Sequence, residues 1–303
     1  MLSKMLVLLI FICIGVLCSK LHIIDEHSSG ALNKLVLYIC GPMMILHAAL
    51  NVQTDLSMRD VLMLLFYGVL FQLFLLLVGL LLSRLICGKK PINGVFALET
   101  AFGNIVFMGI PVVSALYGEG AVFLLTVCAI PFNFFVFTVG ILLILRGEKA
   151  RIPWKRVLYN PSLIAVFIAL ALFFLRPKLP GAVTETMNYL GQMVVPLSMI
   201  LIGAALGRMS LKTIFGSGLS YVACAIKLLL MPALLFFAFR VLIKDPLILG
   251  IFTVMAAMPC PSISPILCAE YGGDSGFASR CVFLSTLLSL ATVPVMVWLL
   301  LLH

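Results

Sequence analysis

Charge is what this sequence has least of. Only 10% of its 303 residues are Asp, Glu, Lys or Arg, while 63% are hydrophobic and the mean hydropathy is +1.25. A soluble domain of this length carries about a quarter charged residues. A water-facing surface is therefore excluded for most of the molecule, and lipid must be its solvent. Chemical motifs are also missing. The nine cysteines form no C-x-x-C, which removes a zinc or disulfide framework of that spacing and leaves them as small apolar packing residues. There is no H-E-x-x-H and no G-x-S-x-G. Gly272-Gly273-Asp274 has part of an aspartyl-protease motif, but no second aspartate lies at membrane depth. An enzyme, a cofactor and a resident metal are therefore not expected.

What is present is a series of long apolar runs. A helix needs about 20 apolar residues to cross roughly 30 Å of hydrocarbon. On that measure spans are expected near 2–18, 34–51, 61–83, 94–117, 120–145, 160–175, 186–206, 217–243, 246–271 and 276–302. The runs are continuous rather than alternating, so helices and not a β-barrel are expected. Met1–Cys18 has the outline of a signal peptide, but Leu17 precedes Cys18 where lipoprotein cleavage needs a small residue, so an uncleaved first span is expected.

The net charge is +9, and the basic residues sit in short connections between the runs. That is the distribution of a membrane protein, and nucleic acid is not an expected partner. With ten spans, thirteen of the 20 Lys and Arg fall in one set of connections and six in the other, while Lys227 lies inside a span. The richer side is expected to be cytosolic, which puts both termini outside the plasma membrane, the inner membrane of a bacterium.

Shifting the sequence by 154 residues places Pro42 on Pro196, Tyr67 on Tyr221, and the run from Pro111 to Gly118 on Pro265 to Gly272. Two halves, 1–152 and 153–303, are expected. Five spans in each half make the halves inverted, a ground plan of secondary transporters. Spans 4 and 9 are the most irregular: Glu99 to Pro111 contains Gly103-Asn104 and Gly109-Ile110-Pro111, and Met258 to Pro265 contains Pro259, Pro261, Ser262 and Ser264. Proline removes a backbone donor and clashes with the preceding turn, so each helix is expected to break or kink there. A broken helix exposes peptide dipoles that bind a carboxylate or an ion; the alternative is a packing kink filled by neighbouring helices.

The run Gly103-Asn-Ile-Val-Phe-Met-Gly-Ile-Pro-Val-Val-Ser-Ala-Leu-Tyr-Gly118 resembles the fourth-helix signature of the auxin efflux carrier family, the plant PIN carriers and bacterial permeases. Met255-Ala-Ala-Met-Pro259 through Pro265, Ala269-Glu-Tyr271 and Ser285-Thr-Leu-Leu-Ser289 with Pro294 resemble its ninth and tenth helices, and Leu32 to Tyr38 with Pro42 fits its second. The resemblance implies an all-α integral membrane protein of ten helices in two inverted repeats. Helices 4 and 9 would be broken and would cross at their prolines, as in sodium/bile-acid-symporter-like and sodium/proton-antiporter-like folds. It implies a scaffold of helices 1, 2, 6 and 7 and a mobile transport domain of helices 3, 4, 5, 8, 9 and 10, moving by an elevator-like mechanism, with a homodimer formed through the scaffold. It implies a small organic anion, such as malate or malonate, bound near Asn104, Gly109, Ile110 and Pro111 and near Ser262, Ser264 and Pro265. The large cytosolic loop of the plant members is missing, since Gly147–Tyr159 is short. An anion channel or a receptor that does not transport is the alternative.

Single residues leave several readings open. Asn104 offers two donors and an acceptor to a substrate or to a kinked backbone. Ser262 and Ser264 donate either to a carboxylate or to their own helices. Glu99 and Lys227 lie within spans, where an unpaired charge is costly. They are expected to approach each other, directly or through water. Lys227 then supplies fixed positive charge in place of a coupling cation, or Glu99 titrates and couples transport to protons, or the two form a structural ion pair. Sodium is the other candidate coupling ion. His47, with Pro42 and Pro196, is a scaffold-side candidate, as a hydrogen-bonded helix residue or a proton relay; Asn51 lies just beyond it.

Overall fold

The computed structural model describes residues 2–50, 57–145, 161–208 and 217–301. Asn51 and the connection Gly147–Tyr159 lie outside these residues. Every element among them is helical. Seven helical stretches are long and apolar enough to cross a membrane: α2 (Glu26–Leu50), α3 (Met58–Cys87), the interrupted stretch Asn93–Tyr117, α6 (Glu119–Ile144), α8 (Gly181–Arg208), α9 (Gly218–Leu242) and α12 (Ser275–Leu301). Three apolar helices are shorter: Leu6–Lys20 within α1 (Leu2–Lys20), Ile164–Leu175 within α7 (Pro161–Leu175), and α10 (Pro246–Ala257). Large apolar side chains stand bare on the outside, Leu77 at 69% and Leu85 at 72% exposure among them. The chain is a multi-pass membrane protein, because only lipid accommodates such a surface at no cost.

Local chemistry sets several helix ends. The Asp25 side chain caps α2 by accepting the Ser28 N–H at 2.8 Å, and these hydrogen bonds hold its carboxyl below the ordinary carboxylate range. Asp245 caps α10 by accepting from the N–H groups of Leu247 and Ile248, with Pro246 at the first helical position, so the chain turns from α9 into α10 within three residues. Four π-helical turns occur among the described residues, at Val36–Cys40, Ile105–Gly109, Val136–Gly140 and Ile226–Leu230. Three of them are followed two residues later by a proline, Pro42, Pro111 and Pro232. The wide turn moves aside the carbonyl that a pyrrolidine ring would strike, so the helix continues.

The chain forms two compact units. The first comprises Met1–Val61, Val106–Val127 and Leu158–Met209. Its tightest crossing joins α1 to α8, where Gly15 lies on the backbone of Ile200 and Gly203 on the carbonyl of Ile12, with no room for a Cβ at either glycine. Without a hydrophobic drive between helices in lipid, such backbone contact is how they hold together. Gly203→Ala therefore overpacks against backbone that cannot yield, a cost of about 1–3 kcal/mol. The thermal unfolding midpoint of the solubilised protein should fall by several °C, whereas Gly30→Ala, with nothing within 4 Å of its new methyl, should leave it unchanged.

The second unit comprises Leu62–Ile105, Cys128–Val157 and Ser210–His303. Its core is aromatic: the Phe71 and Phe252 ring centroids lie 5.3 Å apart, and Phe239 stands 6.2 Å from Phe252. Gly68 of α3 lies against the carbonyl of Cys128, where a Cβ would stand 2.6 Å away. Within this unit the stretch beginning at Asn93 is interrupted. The helix α4 (Asn93–Ala101) ends, residues 102–104 are not helical, and helix resumes through the π-turn into α5 (Ile110–Tyr117). The helix α10 stops at Ala257, and α11 (Ser264–Tyr271) begins after six non-helical residues.

Candidate functional site

The first interruption falls at Phe102-Gly103-Asn104, not at Pro111. Pro111 is the second residue of α5, which continues directly from the π-turn Ile105–Gly109, and that wide turn moves aside the carbonyl its ring would strike. The second falls where expected, across Met258–Ile263, and Pro265 likewise opens α11.

The two interruptions meet inside the second unit. The Asn104 backbone N–H donates to the Pro259 carbonyl at 2.8 Å, and the Asn104 side-chain amide donates to Ser262 Oγ at 2.7 Å. Other polar groups hold the broken ends in place. Gln72, buried in the middle of α3, donates to the carbonyl of Ala101, the last residue of α4, at 3.4 Å. The Cys260 N–H donates to Ser285 Oγ of α12 at 3.0 Å, and the Ser264 N–H donates to the Pro261 carbonyl at 2.9 Å. Freed backbone groups in a dry interior must find partners; Gln72 and Ser285 supply two of them and the backbone of Pro261 a third. Asn104 is 5% exposed and Ser262 is exposed, so the junction has a buried side and an open side.

Two charges lie on the buried side. Glu99 of α4 and Lys227 of the π-turn Ile226–Leu230 are both completely buried. A methyl on Gly103 would stand 3.3 Å from Lys227 Nζ and 3.3 Å from the Met255 carbonyl oxygen. The ammonium thus sits beside the C-terminal ends of α4 and α10, where helix dipoles place partial negative charge. Glu99 lies in the same cluster, with the Ser264 hydroxyl and the Cys260 thiol next to its carboxylate. Among the described residues, neither its oxygens nor Lys227 Nζ nor Ser264 Oγ reaches hydrogen-bond geometry, and the ammonium and carboxylate are more than 4.0 Å apart. The cluster gathers the two charges without a direct ion pair.

The remaining candidates lie in the first unit. Gly109, Ile110 and Pro111 are there, at the junction of the π-turn and α5. Pro42 is buried in α2, and Pro196 is half-buried in α8. His47 Nδ1 stands 3.5 Å from a carboxylate oxygen of Glu119, and His47 borders a cavity of about 340 Å³ with Pro177, Thr184, Glu185 and Asn188. The sequence reading had no place for Gln72 or the π-turns, and it named Ser285 only within the run that resembles the tenth helix. Gln72 carried a signal, being the one amide in a 30-residue apolar helix.

A model of the membrane transport protein family matches residues 1–297. The chain belongs to that family. It is the auxin efflux carrier family that the span-4 run resembles, and the protein is a membrane transporter, not an enzyme. This transporter is 27% identical to an uncharacterized transporter of Methanocaldococcus jannaschii, over 98% of its own length and 97% of the relative's. It is 25% identical to a protein of Rhizobium meliloti named "Putative malonate transporter", over 95% and 92%, and 26% identical to an uncharacterized transporter of Methanothermobacter thermautotrophicus, over 96% and 96%.

Proposed function

We propose that this transporter is a secondary active carrier of small organic anions, mono- or dicarboxylates of the malonate and malate class. The observation that carries the reading is the junction of Asn104 with Pro259 and Ser262, with Lys227 beside it. A carboxylate needs donors and a positive potential. The Asn104 amide and the Ser262 hydroxyl are donors, and the buried ammonium adds full charge where water does not screen it. The family and the relative named for malonate support the same ligand chemistry.

In this reading the chain has ten membrane helices in two inverted repeats and both termini outside the inner membrane. Helices 1, 2, 6 and 7 form a scaffold, and the rest form a transport domain that carries the junction across by an elevator-like movement. Lys227 stands as a permanent cation in place of a coupling ion, or Glu99 takes up a proton with each cycle. A homodimer through the scaffold gives the moving part a fixed base.

The test is uptake by proteoliposomes against a panel of mono- and dicarboxylates, with imposed proton and sodium gradients. The expected result is saturable uptake of one or a few carboxylates, with counterflow exchange. Unitary currents without counterflow would replace the carrier with an anion channel. A panel with no flux in either direction would leave a receptor.

A further inference from the structure

We propose that an anionic phospholipid binds the second unit at the end of α3, with its phosphate held between Arg84 and Lys89. A cavity of about 570 Å³ lies there, lined by these two cations, by Asn93 at the start of α4, and by Leu142 and Leu143 of α6. Its walls are fixed. Gly94 lies against the Leu143 carbonyl with no room for a Cβ, so one side of the cavity is backbone on backbone. Asn93 ties down the other side: its amide donates to the Gly88 carbonyl at 2.7 Å and accepts from Ser83 Oγ at 3.1 Å. Gly88, at φ +60°, turns the chain out of α3 and sets Lys89 beside the cavity.

Both cations are exposed, and among the described residues neither has a carboxylate within 4.0 Å. The end of α3 supplies only about half a negative charge, so two full positive charges face the cavity largely uncompensated. What lies below them selects the ligand. Leu77, Leu81 and Leu85, exposed by 69%, 58% and 72%, follow one another at four-residue spacing on one face of α3, and Leu142 stands 47% exposed at the cavity. A phosphate diester on an acyl chain fits both parts, its charge between Arg84 and Lys89 and its chain along the leucines. A free phosphate would use the cations and leave the leucines unused. Basic pockets at the membrane boundary hold acidic headgroups by this combination, each cation adding to the attraction. The inference rests only on the chain lying in a membrane, not on the carrier reading.

The test is native mass spectrometry of the detergent-purified full chain in an equimolar mixture of dioleoyl phosphatidylglycerol and dioleoyl phosphatidylcholine. Phosphatidylglycerol adducts should be retained roughly tenfold more than phosphatidylcholine adducts, as expected for two cations at a lipid headgroup. The Arg84→Gln/Lys89→Gln double variant should bring the two lipids level, and Lys244→Gln, an exposed cation elsewhere, should not. Both residues are exposed, and an unchanged melting midpoint verifies that the variant is folded. Glycerophosphate and inorganic phosphate form the second arm. If either displaces phosphatidylglycerol at matched concentration, the site takes a free anion and the lipid assignment is wrong. Equal retention of the two lipids by the wild type, or an intact preference in the double variant, also overturns it.

Discussion

Asn104→Ala is expected to cut carboxylate uptake by roughly 10- to 100-fold, because a hydrogen bond to a charged group contributes about 1.5–3 kcal/mol. The substitution removes the side-chain amide that donates to Ser262 Oγ at 2.7 Å and keeps the backbone N–H that donates to the Pro259 carbonyl at 2.8 Å. The two interruptions should therefore stay joined and the protein should still insert, since one neutral hydrogen bond adds only about 1 kcal/mol to stability. The loss should appear mainly in KM, as a weakened grip on the substrate. Asn104→Asp sharpens the experiment. It keeps the shape but sets a carboxylate against a carboxylate, so uptake should fall below that of Asn104→Ala. A cationic substrate would reverse that order. Wild-type kinetics in Asn104→Ala would remove the residue from the site.

The second large effect belongs to Lys227. Lys227→Met keeps most of the side-chain volume and removes a charge that is completely buried beside the ends of α4 and α10. If the ammonium draws the substrate carboxylate, uptake should fall by an order of magnitude or more, even in correctly inserted protein. The variant should also be less stable, because Glu99 is left as an uncompensated carboxylate in the same dry cluster, which costs several kcal/mol. The Lys227→Met/Glu99→Gln double variant separates the two roles. With both charges gone, its stability should recover while its uptake should not. Recovery of both would make the two residues a structural pair with no part in transport. That conclusion requires the wild-type pH dependence to be kept; if uptake returns but its pH dependence is lost, Glu99 is the proton-coupling group.

These residues also mark how far the sequence could be read. The apolar runs located the helices, because a backbone in lipid has few other ways to satisfy its own hydrogen bonds. The predicted ends of α6, α9 and α12 lie within two residues of those observed. The Gly, Asn, Ser and Pro cluster marked the two irregular stretches, because those residues weaken a helix wherever they stand. Proline misled in one respect. Pro111 was expected to break span 4, yet the π-turn before it accommodates its ring, and the interruption falls at Phe102–Asn104. Gly103 is the better marker, since its missing side chain makes room for the Lys227 ammonium.

By itself the sequence determined that this protein lives in lipid, that it is helical, and that its polar chemistry is confined to a few interrupted places. Composition and run length decide these matters locally, through the cost of burying peptide groups and charges. Tertiary structure alone decided that Asn104 meets Pro259 and Ser262, that Gln72 and Ser285 hold the broken ends, and that Lys227 and Glu99, expected to approach each other, do so without a direct ion pair. Each of those contacts joins residues 25 to 158 positions apart. No periodicity or spacing along one helix encodes them, because they depend on how neighbouring helices pack.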